Sequence, residues 1–143
     1  MASDFNPNRL SFEEGLDRIR QAAGGDLGTK GRVLTSRDDS AIRARDSLAV
    51  DNVPAGFVKW QLPVYLSAPS QLFVTVAEPG AKARAHSHDE GDGIRFIAGG
   101  SIIFEGTELV PGDWMFIPGG THYDFEVGPN GAIMCYCYSC CCA

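Results

Sequence analysis

Glycine and proline cut the chain between residues 56 and 138 into short apolar runs, and this punctuation constrains the fold more than any other feature of the sequence. Pro79-Gly80, Gly99-Gly100, Pro111-Gly112 and Pro118-Gly119-Gly120 each end one run and open the next. The runs are of strand length and too short for stable helices. The pattern predicts strands at 57–62, 71–77, 93–98, 101–105, 113–117, 121–127 and 131–138. In QLFVTVAEPG, Leu72, Val74 and Val76 alternate on one face before the Pro79-Gly80 turn. Gly99-Gly100 is placed as a hairpin turn between two short strands. Closely spaced strands with this turn chemistry make a sandwich or barrel. The 17 glycines and 8 prolines among 143 residues are well above ordinary usage, as an all-β chain rich in turns requires.

The chain before this region reads differently. Ser11 followed by Glu14 is a capping box, which opens a helix running to about Ala23 and ended by Gly24-Gly25. Phe12, Leu16 and Ile19 make one apolar stripe, and Gly15 weakens it. Residues 24–50 are Gly-rich and then charged, and read as loop with a short strand. The length suits one domain. Residues 1–55 are expected to be an N-terminal helix and extended arm packing on a barrel, and residues 56–143 the barrel itself.

Twelve Lys and Arg face 18 Asp and Glu, a formal net charge of −6, and the basic residues are scattered. Such a chain is poorly suited to nucleic acid or to an anionic membrane surface. There is no apolar run long enough for a membrane helix, and the charged N-terminus lacks the apolar stretch of a secretory signal, so a cytoplasmic protein is expected. All five cysteines lie between Cys135 and Cys142. Cys135 and Cys137 share one strand face and suit packing. Cys140, Cys141 and Cys142 are adjacent, which is poor geometry for zinc; they could be oxidised or cross-link chains.

The densest chemistry lies between Gly80 and Gly99, where His86 and His88 stand two residues apart with Asp92 four further on. At strand spacing both imidazoles point to one face, and with a carboxylate they can reach one metal ion. The string Gly80-x5-His86-x-His88-x3-Asp92-x6-Gly99 resembles the first cupin motif. Gly112-DWMFI-Pro118-Gly-Gly120-Thr-His122-Tyr123 resembles the second. The resemblance covers about residues 70–138 and implies a small single-domain jelly-roll β-barrel with a short N-terminal helix. It also implies one divalent transition metal (Fe, Mn, Ni, Zn or Co) held by His86, His88, Asp92 and the histidine of the second motif, here His122. Members of the family include dioxygenases, isomerases, epimerases, lyases, decarboxylases, sensors and storage proteins, so the resemblance implies fold more than function.

Two departures bear on the site. Asp92 stands where the family has Glu; it is one methylene shorter and either ligates or orients a ligand from behind, with Glu90 a competitor at the wrong offset. Tyr123 occupies the family's histidine slot, and His122 falls one residue early. Tyr123, Phe125 and Val127 alternate with His122, Asp124 and Glu126, which turns Tyr123 inward and His122 outward. Three arrangements stay open. A bulge or shortened turn returns His122 to the pocket, or Tyr123 faces the metal or acts as acid and base, or the metal rests on His86, His88 and Asp92 alone.

The first expectation for function is a metal-dependent enzyme acting on a small polar organic molecule. An Fe(II)-type dioxygenase is foremost, because two histidines and a carboxylate with open positions match the facial arrangement of non-haem Fe(II) oxygenases. A second is an isomerase, epimerase or lyase using Tyr123 and a histidine in proton transfer, and a third is a non-enzymatic ligand-binding or sensor protein. Tyr123 and Asp92 are the candidate catalytic groups. Arg84 and Arg95 have the charge to hold a substrate carboxylate, and Phe96, Trp114, Phe116 and Phe125 are expected as apolar walls. A sheet edge able to pair with another chain makes a homodimer the expected state.

Overall fold

The computed structural model describes residues 11–23, 31–50, 53, 55, 57–66, 71–87 and 91–138. The chain divides into two compact units, Met1–Leu27 with Arg37–Tyr65, and Gly28–Ser36 with Leu66–Ala143. No helix among the described residues is long and apolar enough to cross a membrane.

The first unit begins with helix α1 (Phe12–Ala23), and its capping box forms as expected. The Ser11 amide donates to Glu14 Oε2 at 2.7 Å, and the Glu14 amide donates to Ser11 Oγ at 3.2 Å. These bonds from Ser11 hold the exposed Glu14 carboxyl below its ordinary range, the backbone bond contributing most. Leu16 and Ile19 are buried, whereas Phe12 is exposed, so the apolar stripe is one residue shorter than its sequence implies. A second helix, α2 (Asp39–Ser47), occupies part of the stretch expected to be loop. Its charged surface masks the pattern, because the side it buries consists of the small residues Ala41 and Ala44. Ile19, Ala44 and Leu48 form this unit's core. Strands β2 (Ala49–Val50) and β3 (Lys59–Trp60) pair beside it, and the Arg45 guanidinium lies 3.9 Å from the Trp60 ring.

The second unit is one antiparallel sheet built from β1 (Leu34–Thr35), β4 (Gln71–Ala77), β5 (Lys82–His86), β6 (Gly93–Phe104), β7 (Thr107–Leu109), β8 (Trp114–Ile117) and β9 (Tyr123–Tyr138). The strand order is β1-β8-β6-β9-β4, with β5 on β9 and β7 on β6. Residues from both halves of β9 meet Ile97, Ile102 and Met115 in one buried cluster, so the sheet wraps around its own inner face. The mostly β fold is what the turn pattern predicted, and the short N-terminal helix is what the capping box predicted.

Two expected breaks are absent. Gly99-Gly100 is not a hairpin turn but the middle of β6, and 121–127 and 131–138 are one strand, β9. The glycines serve a different purpose. At Gly100, with φ of 61°, a Cβ would overlap the Gly131 carbonyl oxygen, so β6 and β9 approach here as only glycine allows. Register shifts on both sides of Gly99-Gly100 mark the local bend. The true hairpin follows at Glu105-Gly106, where both residues have positive φ, 47° and 79°, between the paired Phe104 and Thr107.

Candidate functional site

The inner faces of β4, β5, β6 and β9 line a cavity of about 370 Å³. Thr75 and Ala77 come from β4, His86 from β5, Arg95 from β6, and Phe125, Val127, Met134 and Tyr136 from β9. His86 reaches it through a local irregularity. Ala83 opposes Phe125 and His86 opposes Tyr123, so three steps on β5 match two on β9. Without this bulge, strand alternation would place His86 on the face opposite Ala83; with it, both look inward. His86 and Tyr123 are thereby cross-strand neighbours, their ring centroids 4.7 Å apart. His86 Nδ1 lies 2.6 Å from the Arg84 carbonyl oxygen. A carbonyl only accepts, so Nδ1 carries the proton and a neutral ring keeps its lone pair on Nε2.

Arg95 is the dominant charge. Its side chain is 7% exposed, between the rings of Tyr136 and Phe125, whose centroids lie 4.3 and 5.0 Å from the guanidinium carbon. Nη2 donates a long 3.4 Å hydrogen bond to the Tyr123 hydroxyl, and Nη1 lies 3.7 Å from Met134 Sδ. Nε has no partner, and no described carboxylate forms an ion pair with Arg95. Among the described residues the cavity wall adds Lys82 and no acid.

Tyr123 is buried and His122 exposed, as alternation along this segment required. His122 lines a second cavity, about 300 Å³, together with Thr121 and Asp124. Asp92 does not line the first cavity; its Oδ1 accepts the Gly119 amide at 2.8 Å and so ties the start of β6 to the Pro118-Gly119-Gly120 turn. Arg84 is exposed and contributes its carbonyl rather than its charge. Phe96 and Trp114 do not wall the cavity. On β6 the buried Arg95 and Ile97 face inward, so Phe96 between them faces out and is 38% exposed. On β8 Met115 and Ile117 belong to the inner core, which leaves Trp114 and Phe116 on the outer face, though buried. Phe125 is on the inner face as expected. His88, Glu90 and Cys140 to Cys142 lie outside the described residues.

Of the four ligands that the motifs imply for a divalent metal, His88 lies outside the described residues. Among the described residues no three His, Cys, Asp or Glu side chains come together. Of the expected ligands, His86 lines the inner cavity, while Asp92 is bonded to Gly119 and His122 faces elsewhere. A buried guanidinium in the same space repels a cation and attracts an anion. The group that sequence reasoning did not single out is Tyr136, whose ring stacks on Arg95; its place on the inner face follows from the same β9 alternation that places Met134.

No family model matches the sequence, and no curated protein matches it. Several solved structures resemble it. An RmlC-like cupin from Shewanella frigidimarina is 20% identical over 49% of this chain and 65% of its own, with a TM-score of 0.42. This chain thus spans less than two thirds of that protein's length. KdgF from Halomonas sp. is 21% identical over 54% of this chain and 74% of its own, with a TM-score of 0.43. A protein with a double-stranded β-helix domain from Klebsiella pneumoniae is 16% identical over 97% of this chain and 89% of its own, with a TM-score of 0.45. The first bears the family name that the two motifs resemble. At these identities and TM-scores the likeness transfers neither substrate nor reaction to this chain.

Proposed function

We propose that the inner cavity binds a small organic acid and that the chain moves a proton on it, as an isomerase, epimerase or lyase. One observation carries this reading: Arg95 is a buried cation on the cavity wall whose Nε–H has no partner and which no described carboxylate neutralises. Withdrawing such a charge from water costs roughly several kcal/mol unless an anion meets it. A ligand carboxylate matches the guanidinium fork. The cavity is at the small end of ligand sites, and Phe125, Val127 and Met134 offer apolar walls for the rest of the molecule. With the acid held at Arg95, His86 Nε2 can take a proton from the neighbouring carbon and the Tyr123 hydroxyl can return one.

The test is solvent exchange. A set of small 2-hydroxy and 2-oxo acids is incubated with the protein in D2O and followed by proton NMR. Loss of the C2 proton signal of a 2-hydroxy acid, or of the C3 proton signal of a 2-oxo acid faster than without protein, is expected for at least one acid and is abolished by Tyr123→Phe and by His86→Ala. If no acid binds, or exchange proceeds equally in both variants, the reading is wrong.

A second reading, a metal-dependent enzyme such as an Fe(II)-type dioxygenase, is favoured by one detail. The Arg84 carbonyl fixes the His86 tautomer and presents Nε2, as the outer partners of metal-bound histidines do. When bound, a metal would supply Lewis-acid or dioxygen chemistry. Elemental analysis of protein purified without chelator decides it: one transition metal per chain, lost in His86→Ala, would favour this reading over the first.

A further inference from the structure

The groups that bear chemistry gather at one end of the inner cavity. Arg95, Tyr123 and His86 stand together there, joined by the guanidinium–hydroxyl bond and by the cross-strand pair of rings. Register then leads away from all three. Along β5 and β9, the pair His86–Tyr123 is followed by Ala83–Phe125 and then by Ala81, whose carbonyl oxygen accepts the Val127 amide at 2.7 Å. On the far half of β9, the pair Arg95–Tyr136 is followed by Thr75–Met134 and Ala77–Ala132. At about 3.3 Å per residue, the stretch from Tyr123 to Val127 spans about 13 Å. Lys82 precedes the inward Ala83 and opposes the exposed Glu126, so it points to the outer side of β5. Among the described residues, Thr75 then supplies the one hydroxyl on this stretch of the wall. Ala77 and Ala83 are half-buried and pack on the core, and the exposed Ala81 marks the opening.

We infer that the acid held at Arg95 is a monocarboxylate with an apolar tail of several carbons, and that Ala77, Ala81 and Ala83 set how long that tail can be. The inference rests on the proposed carboxylate site and adds what lies beyond it. Arg95 is 7% exposed, so its end of the cavity is closed and the tail runs towards Ala81. Each methylene laid against Phe125, Val127 and Met134 leaves water, which raises affinity about fourfold. A second carboxylate or a row of hydroxyls on the tail would leave water with Thr75 alone to meet it, and a buried polar group without a partner weakens binding. Dicarboxylates and sugar acids are thereby disfavoured. Each alanine keeps open the space that a leucine at the same position would fill.

Isothermal titration calorimetry with unbranched 2-oxo acids, from pyruvate to 2-oxooctanoate, tests the inference. Affinity is expected to rise about fourfold per added methylene until the slot is full, and then to level off. 2-Oxoglutarate is expected to bind at least about tenfold more weakly than 2-oxopentanoate, and gluconate at least about tenfold more weakly than 2-hydroxyhexanoate. Ala83→Leu and Ala81→Leu should each move the levelling point to shorter acids and leave the affinity for pyruvate unchanged. The wild-type series stands if a leucine variant fails to fold. If no acid of any length binds, the proposed function fails and this inference with it. Three results overturn the inference alone and leave the carboxylate site in place: affinity that stays flat or falls along the series, tighter binding of the dicarboxylate or the sugar acid, or a levelling point that neither folded leucine variant moves.

Discussion

Replacing Arg95 by Met separates a ligand-holding guanidinium from a structural one, because the two predict different magnitudes for the stability change of the ligand-free protein. Met keeps most of the stem volume and removes the charge. The substitution gives up the guanidinium's stacking on two rings, at 4.3 and 5.0 Å, worth about 1–2 kcal/mol each when desolvated. It also gives up a 3.4 Å hydrogen bond worth less than about 1 kcal/mol. Against these stands the removal of a buried charge without a described counter-ion, which costs roughly several kcal/mol to keep. The opposing effects nearly cancel or favour Met, so urea unfolding of the ligand-free variant should differ from wild type by no more than about 1–2 kcal/mol, in either direction. Ligand binding should respond very differently. Two charge-assisted hydrogen bonds to a carboxylate at about 1.5–3 kcal/mol each imply a loss of about 3–6 kcal/mol, or about 10²–10⁴-fold in affinity. A carboxylate that raises the wild-type Tm should leave that of Arg95→Met unchanged. Destabilisation of the ligand-free protein by about 3–5 kcal/mol, the cost of breaking a buried ion pair, would refute the reasoning and make Arg95 part of the framework.

Other substitutions probe the frame around the cavity. A Cβ at Gly93 would lie 2.6 Å from Tyr136 Oη, so Gly93→Ala should cost about 1–3 kcal/mol in chemical unfolding and weaken carboxylate binding by displacing the ring from Arg95. Glu105→Asn, at φ 47° in a turn that favours Asn-Gly, should stabilise the protein by about 1 kcal/mol, seen as a raised Tm. Asp92→Ala removes the acceptor of the Gly119 amide and should lower stability by about 1 kcal/mol without altering metal content, whereas loss of a bound metal would show that Asp92 is a ligand. The Glu14 carboxyl is held below its ordinary range by Ser11, so its contribution to α1 is complete above the unfolded pKa and is lost as pH falls through the lower folded value. The stability difference between wild type and Glu14→Gln should accordingly be constant near neutrality and vanish in acid.

Particular residues show what could be read before the structure. The capping box at Ser11 and Glu14 formed because its bonds are local. The inward Tyr123 and outward His122 followed from five residues of clean alternation on β9. What escaped was non-local. The β5 bulge that turns His86 inward is a difference in count between two strands and leaves no mark on either alone. Gly99-Gly100 resembles a turn because glycine also serves close backbone approach, and here its neighbour is Gly131, far along the chain. The run Trp114 to Ile117 is apolar at every position and buried on both faces, so periodicity could not say which side was inner.

Phe96 and Arg95 are adjacent on β6 and cannot share a face, so a pocket with both in its wall was never possible on a strand. Polarity alone would put Phe96 inside and Arg95 outside, yet the register is the reverse. Ile97 and Met134 explain why: they occupy the inner core on the same register, and a one-residue slip would expose them both. Two unfavourable surfaces remain, a buried cation and an exposed apolar face, and they are opposite sides of one strand. Tyr123, Phe125 and Tyr136 relieve the first only in part, and no described carboxylate pairs with Arg95. The proposed anion at Arg95 would remove the first cost, so the register that keeps Ile97 and Met134 in the core is also the one that puts a guanidinium into the cavity, and a one-residue slip would abolish both.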